Sequence, residues 1–180
     1  LISMVMVIVG FANMFKEAGL SMATVQRADV THEQVSTLFW INVALSTGLM
    51  ILIAASSPLV AWFYSEPRLT EITIAVSLAF FFSGLTVQHQ ALLRRQMRFG
   101  ILAGINIGSM AIGIMVGIGL AIQGFGYWSL VGMHLAQPFA NAILVWALCD
   151  WRPGVPKRGV GVRPMLFFGG NLTLSNFLNH

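Results

Sequence analysis

Charge is what this chain lacks most. Only 9% of its 180 residues are Asp, Glu, Lys or Arg. A soluble domain carries about 25%. So few charges cannot cover the surface of a water-soluble core of this size, and the mean hydropathy is +0.79. Soluble folds are thereby set aside in favour of an integral membrane protein. Cysteine is scarcer still. Cys149 stands alone, which excludes an intrachain disulfide and leaves the redox compartment unread. Acidic residues number six and form no intramembrane or loop cluster. Asp29 and Glu33 are four apart ahead of an apolar run, as first-turn acids would be rather than a catalytic pair. No G-xxxx-G-K-[ST] loop for ATP is present. The four histidines, His32, His89, His134 and His180, lie on separate segments without H-E-x-x-H spacing. No metal, no cofactor and no catalytic residue is expected, and the protein is not expected to be an enzyme.

What is present is a series of long uncharged runs. A membrane helix needs about 20 apolar residues, at 1.5 Å rise across a core about 30 Å thick. The gaps between charges predict helices over about 1–19, 35–64, 72–93, 101–122 and 128–149. The stretch from Phe99 to Cys149 is too long for one crossing, and "QGFGYW" (Gln123 to Trp128) breaks it. Pro164 suits the start of a further helix over 164–180. Membrane strands need only about 10 residues and alternate polar with apolar, which these runs do not. The fold class expected is an all-α integral membrane protein, a polytopic helical bundle. The chain opens at Leu1 and stops at His180, each inside an apolar run, so a fragment of a longer protein is expected.

The basic residues are unevenly placed. Arg27, the triplet Arg94, Arg95 and Arg98, and the group Arg152, Lys157, Arg158 and Arg163 fall on alternate loops. The loops between them hold only Arg68. By the positive-inside rule the Arg-rich loops are cytoplasmic. The pI of about 10 therefore marks topology and lipid-headgroup contact, not nucleic acid. The triplet chiefly sets orientation, and it is also able to contact anionic lipid or a substrate phosphate.

Polar residues recur inside the runs, where they are costly. Asn13 and Glu17 share a face of the first run, with Lys16 about 100° away. Asn42 and Ser46 are i, i+4 neighbours. Gln88, His89 and Gln90 end the third run. His134, Gln137 and Asn141 are spaced i, i+3, i+7. Asn171 and Asn179 share a face of the last segment. Each such residue, taken singly, suits an interhelical hydrogen bond of about 1 kcal/mol. Taken together, stripes on several helices suit a water-filled cavity. Gly104/Gly108 and Gly113/Gly117 each form a G-xxx-G that lets helices approach closely. Pro58 and Pro138 are placed to kink their helices, and Pro138 adjoins the His134 stripe.

Several segments, in order, carry a family resemblance: "EAGLSMATVQRADVTHEQVSTLFWIN", "FYSEPRL", "QALLRRQMRFG", "GFGYWSLV" and "FGGNLTLSNFLN". The chain resembles, along essentially its whole length, the Wzx-type polysaccharide flippases of bacteria. These belong to the multidrug/oligosaccharidyl-lipid/polysaccharide exporter superfamily. The resemblance implies a V-shaped transporter of two bundles, six helices each or more, around a central cavity. Residues 1–150 would be most of the first bundle, 151–163 a cytoplasmic inter-bundle loop, and 164–180 the start of the second. It implies flipping of undecaprenyl-diphosphate-linked oligosaccharide across the inner membrane, for O-antigen, capsule or exopolysaccharide synthesis. The partners implied are that lipid-linked substrate, membrane lipids, a coupling cation (H+ or Na+) and other polysaccharide assembly proteins. The substrate path would draw on Asn13, Asn42, His134, Gln137, Asn171 and Asn179 for sugars, on Lys16 and Arg27 for the diphosphate, and on Glu17 for ion coupling. Competing readings are a cation-coupled multidrug exporter of the same superfamily, a membrane-embedded enzyme and a non-transporting membrane scaffold. Short loops weigh against the enzyme.

Overall fold

The computed structural model of the protein describes residues 31–156. They form five helices: α1 (His32–Phe63), α2 (Arg68–Gly84), α3 (Val87–Arg95), α4 (Phe99–Ile122) and α5 (Trp128–Leu148). α2 and α3 run on as one crossing, Arg68–Arg95. With α1, α4 and α5 that makes four stretches long and apolar enough to span a membrane. The chain is an all-helical, multi-pass membrane protein.

Local chemistry sets the helix ends. α1 starts in a capping box: Thr31 Oγ1 accepts from the Gln34 amide at 3.3 Å, and Gln34 Oε1 accepts from the Thr31 amide at 3.1 Å. Glu33 adds a first-turn acid. Three helices close alike. At the end of α1 the Ser65 amide donates to the Trp62 carbonyl and the Glu66 amide to that of Ala61. Met97 and Arg98 repeat this on Arg94 and Leu93, and Gly124 and Phe125 repeat it on Ala121 and Leu120. Each is a Schellman closure, which needs a left-handed residue just past the helix. Glycine fills that place once, at Gly124 (φ 81°); Ser65 (φ 53°) and Met97 (φ 56°) fill the others.

The single helix expected over 72–93 is instead two. It starts earlier, at Arg68 behind Pro67, and is interrupted at Leu85–Thr86. The Thr86 amide turns back to the Ser83 carbonyl (3.1 Å), and Thr86 Oγ1 donates to the same carbonyl (2.8 Å). The Leu85 carbonyl receives the Trp146 indole N–H at 3.2 Å. A local hydroxyl and a distant indole thus replace regular helix bonds, as backbone inside a membrane requires. α1 and α5 run uninterrupted through Pro58 and Pro138, so the discontinuity falls where no proline stands.

α1 packs along α2, α4 packs along α5, and α2 on α5 joins the two hairpins. Val60, Leu69, Ile72, Val76 and Val131 form the core at one end. Leu93, Ile105, Val145 and Cys149 form it at the other, the end that carries the arginines. Small residues set the spacing. A Cβ at Gly113 would lie 3.0 Å from Gln137 Cβ and 3.2 Å from the Met133 carbonyl. A Cβ at Gly117 would lie 3.0 Å from Met133 Cβ. The second G-xxx-G is therefore the α4–α5 contact. In the first, Gly104 faces open space and Gly108 only meets Leu144 at 3.4 Å. Leu45, Leu52, Leu59, Ile107, Ile114 and Ile118 point outward, as lipid-facing positions do.

Candidate functional site

The helix order brings α3, α4 and α5 together about 10 Å inside the arginine-bearing end, at 1.5 Å per residue from Arg95, Phe99 and Leu148. There four polar side chains join. Gln90 Nε2 donates to Asn141 Oδ1 at 2.9 Å. Asn141 Nδ2 donates to Asn106 Oδ1 and to Ser109 Oγ, each at 3.4 Å. Asn141 thus uses both ends of its amide to tie three helices. The network is neutral and offers donors and acceptors together, which is what hydroxyl-rich ligands match. Asn106 is exposed at the edge of the network, and Asn141 is partly buried.

Gln137 lies one turn before Asn141, exposed, with its Cβ against Gly113. His134 lies a further turn away and is partly buried. The three residues of the α5 stripe therefore share a face, and of them Asn141, which the expected path left out, is the one that bonds into the network, while His134 and Gln137 do not. Asn42 sits apart from them, buried between α1 and α2. Its neighbourhood is tight: a Cβ at Gly84 would lie 2.6 Å from Ser46 Cβ and 3.4 Å from the Asn42 carbonyl. The Asn42 side-chain nitrogen has no hydrogen-bond partner there.

Below the amides lies an aromatic shell. His89 is fully buried, with ring centroids of Trp146 at 4.8 Å, Trp151 at 5.0 Å and Phe39 at 5.8 Å. At the end of the bundle Arg94 and Arg98 are exposed and Arg95 partly so. Arg98 lies 3.9 Å from Asp150, a loose and open pair worth little by itself. The triplet follows from the Schellman turn at Met97, which brings the end of α3 and the start of α4 side by side. Asn13, Lys16, Glu17, Arg27, Asn171 and Asn179 lie outside the described residues.

The sequence reading noted Gln90 and Asn141 without including either in the path, and passed over Asn106 and Ser109. Asn106 stands between Gly104 and Gly108, so the G-xxx-G pattern absorbed it. The available signal was the i, i+3 pair Asn106/Ser109 on a helix otherwise devoid of polar side chains.

A family model described as "polysaccharide biosynthesis protein" matches residues 1–180. Among curated proteins the chain is 28% identical to the teichuronic acid biosynthesis protein TuaB of Bacillus subtilis, over 94% of its length and 35% of TuaB. It is 23% identical to the lipopolysaccharide biosynthesis protein WzxC of Escherichia coli, over 100% of its length and 37% of WzxC. It is 32% identical to the amylovoran biosynthesis protein AmsL of Erwinia amylovora, over 74% of its length and 35% of AmsL. The chain thus spans little more than a third of these relatives. No solved structure matches it. A multi-pass bundle with polar groups bonded across its helices, matched end to end by one family model, leads to one assignment: the chain belongs to the polysaccharide biosynthesis protein family.

Proposed function

We propose that the protein of which this chain is part moves lipid-linked oligosaccharide from the inner to the outer leaflet of the bacterial inner membrane. The cargo is an undecaprenyl-diphosphate-linked repeat unit for O-antigen, capsule or exopolysaccharide. The observation that carries the reading is the Gln90–Asn141–Asn106 amide network inside membrane-spanning helices. Sugars need many neutral donors and acceptors, and an amide offers both. Exposed Asn106 and Gln137 extend that polar edge away from the bundle interior. The family membership and the relatives named for teichuronic acid and lipopolysaccharide synthesis support a polysaccharide cargo.

In this reading the protein is a transporter and not an enzyme. Lys16 and Arg27 attract the diphosphate, and Glu17 couples transport to a cation gradient. A dianionic headgroup favours cationic residues at the cavity mouth. Residues 1–150 belong to the first of two bundles, 151–163 link them, and the second completes the site. Other polysaccharide assembly proteins take the cargo onward.

The test uses the full-length gene in its own host. The gene is deleted and undecaprenyl-linked glycans are extracted and weighed by mass spectrometry. Intact spheroplasts are probed with an impermeant sugar-binding reagent. A complete repeat unit that accumulates and stays inaccessible from outside is the expected result. Unchanged lipid-linked glycans would remove the flippase reading and direct attention to drug efflux.

A further inference from the structure

The segment that follows α5 does not hang free. It folds back across the first two turns of α1 and is held there at both ends. At its start, Trp151 Nε1 donates to His32 Nδ1 at 3.1 Å. The Trp151 ring also packs on His32, Phe39 and His89, with centroids 5.9, 6.0 and 5.0 Å away. Three residues on, Gly154 is gripped twice. Its amide donates to Ser36 Oγ at 3.0 Å, and its carbonyl accepts from Trp40 Nε1 at 2.9 Å. A Cβ on Gly154 would lie 3.3 Å from His32 Nε2, so the backbone lies close against the helix. Pro153 and Pro156 bracket the grip and stiffen it. Arg152 donates to the Cys149 and Trp151 carbonyls and covers Trp146 at 5.8 Å. Residues 151–154 form a strap.

The bonds of the strap fix the proton on His32. An indole N–H only donates. His32 Nδ1 must therefore be bare to accept from Trp151. Ser36 Oγ already donates to the His32 carbonyl (2.8 Å) and accepts from Gly154. Its remaining lone pair faces His32 Nε2 at 3.5 Å, where a ring N–H has an acceptor. The whole set closes only for a neutral ring with its proton on Nε2. A second proton, on Nδ1, would set N–H against N–H.

We propose that residues Trp151 to Gly154 are a latch on the start of α1, closed by neutral His32 and opened when His32 is protonated. The latch governs where the chain leaves the bundle after α5. It acts whatever cargo the protein carries. Among the described residues, the titratable and charged groups on the elements around it are few. Glu33 follows His32 on α1, and His89 of α3 shares the Trp151 ring. Asp150 and Arg152 flank Trp151 on the strap itself, and Arg98, which caps α4, sits 3.9 Å from Asp150. Arg94 and Arg95 close α3 at the same end. Of these, only His32 has a ring nitrogen that accepts a hydrogen bond from the strap.

The test is hydrogen–deuterium exchange on the full-length protein in lipid nanodiscs, read by fragmentation mass spectrometry at the Gly154 amide. Rates are compared at about pH 8 and about pH 5, the span over which histidine changes charge, after correction for intrinsic exchange. In the wild type, protection should fall by about two- to tenfold at the lower pH, as for one lost net hydrogen bond. His32→Asn places a neutral acceptor where Nδ1 stands and should hold protection equal at both values. Trp151→Phe keeps the ring and removes the donor, and its Gly154 amide should exchange alike at both. Wild-type protection that does not change with pH overturns the latch. So does a pH-dependent loss that survives in Trp151→Phe, which serves also should the His32 variant fail to fold.

Discussion

Trp146 donates its indole N–H to the Leu85 carbonyl, 3.2 Å away and sixty-one positions earlier in the chain. That carbonyl lies at the break between α2 and α3, inside a membrane crossing. In lipid no water stands ready to take over such a bond. Trp146 therefore does two jobs. It closes the break, and its ring backs His89 at 4.8 Å.

Trp146→Phe keeps an aromatic ring and removes the donor. It should cost about 0.5–1.5 kcal/mol, the net worth of one hydrogen bond to a partly buried carbonyl. Trp146→Ala should cost about 3–5 kcal/mol, because the ring contacts go as well. Thermal unfolding of the purified protein in detergent orders the two variants. Equal losses would show that the ring alone matters.

Met97 holds a left-handed conformation that favours glycine, with φ at 56°. Its side chain is 74% exposed, so little packing is lost by removing it. Met97→Gly should raise stability by about 0.5–1 kcal/mol, since the strain outweighs the added freedom of the unfolded chain. Gly124→Ala, at φ 81°, should shift stability the other way by a similar amount. The same unfolding assay reads both.

The two G-xxx-G pairs make a matched control. Gly113→Val should destabilise by about 1–3 kcal/mol, because backbone at Met133 and the root of Gln137 stand in the way. Gly104→Ala meets nothing within 4 Å and should be neutral or raise stability by about 0.5–1 kcal/mol through helix propensity. Should Gly104 prove as sensitive as Gly113, its face is covered in the full protein by a partner helix.

Much of the fold was legible in the sequence because charge is so scarce. The gaps between charges located α1, α4 and α5 to within a few residues. The break at Leu85–Thr86 was not legible. Leucine and threonine are ordinary helix residues, and the interruption depends on an indole far along the chain. Two of the three Schellman closures were hidden for a related reason: Ser65 and Met97 do not announce a left-handed turn as glycine does. Within the candidate site, the His134 stripe pointed to Asn141 but not to its partners. Hydrogen bonds between helices depend on register, which one helix's periodicity does not contain. The strap was hidden too, since nothing local marks Trp151 as the partner of His32.

The amide network makes two separable demands on Asn141. It ties helices, and it presents polar groups to whatever passes. A double-mutant cycle between Gln90→Leu and Asn141→Leu isolates the first. The 2.9 Å bond should give a coupling of about 0.6 kcal/mol, and at most about 1.7 kcal/mol, the range for hydrogen bonds between membrane helices. The coupling is the pairwise term alone; each single variant is read against it by thermal unfolding. Asn106→Leu then isolates the second demand. Asn106 is exposed and sits at the far end of the network, on Asn141 Nδ2 at 3.4 Å. Its replacement should change stability by less than about 1 kcal/mol. Export of lipid-linked glycan in a deletion host complemented by the variant should nevertheless fall severalfold. Normal export at normal protein level would confine the network to holding α3, α4 and α5 together, and the cargo path would then run along another face of the bundle.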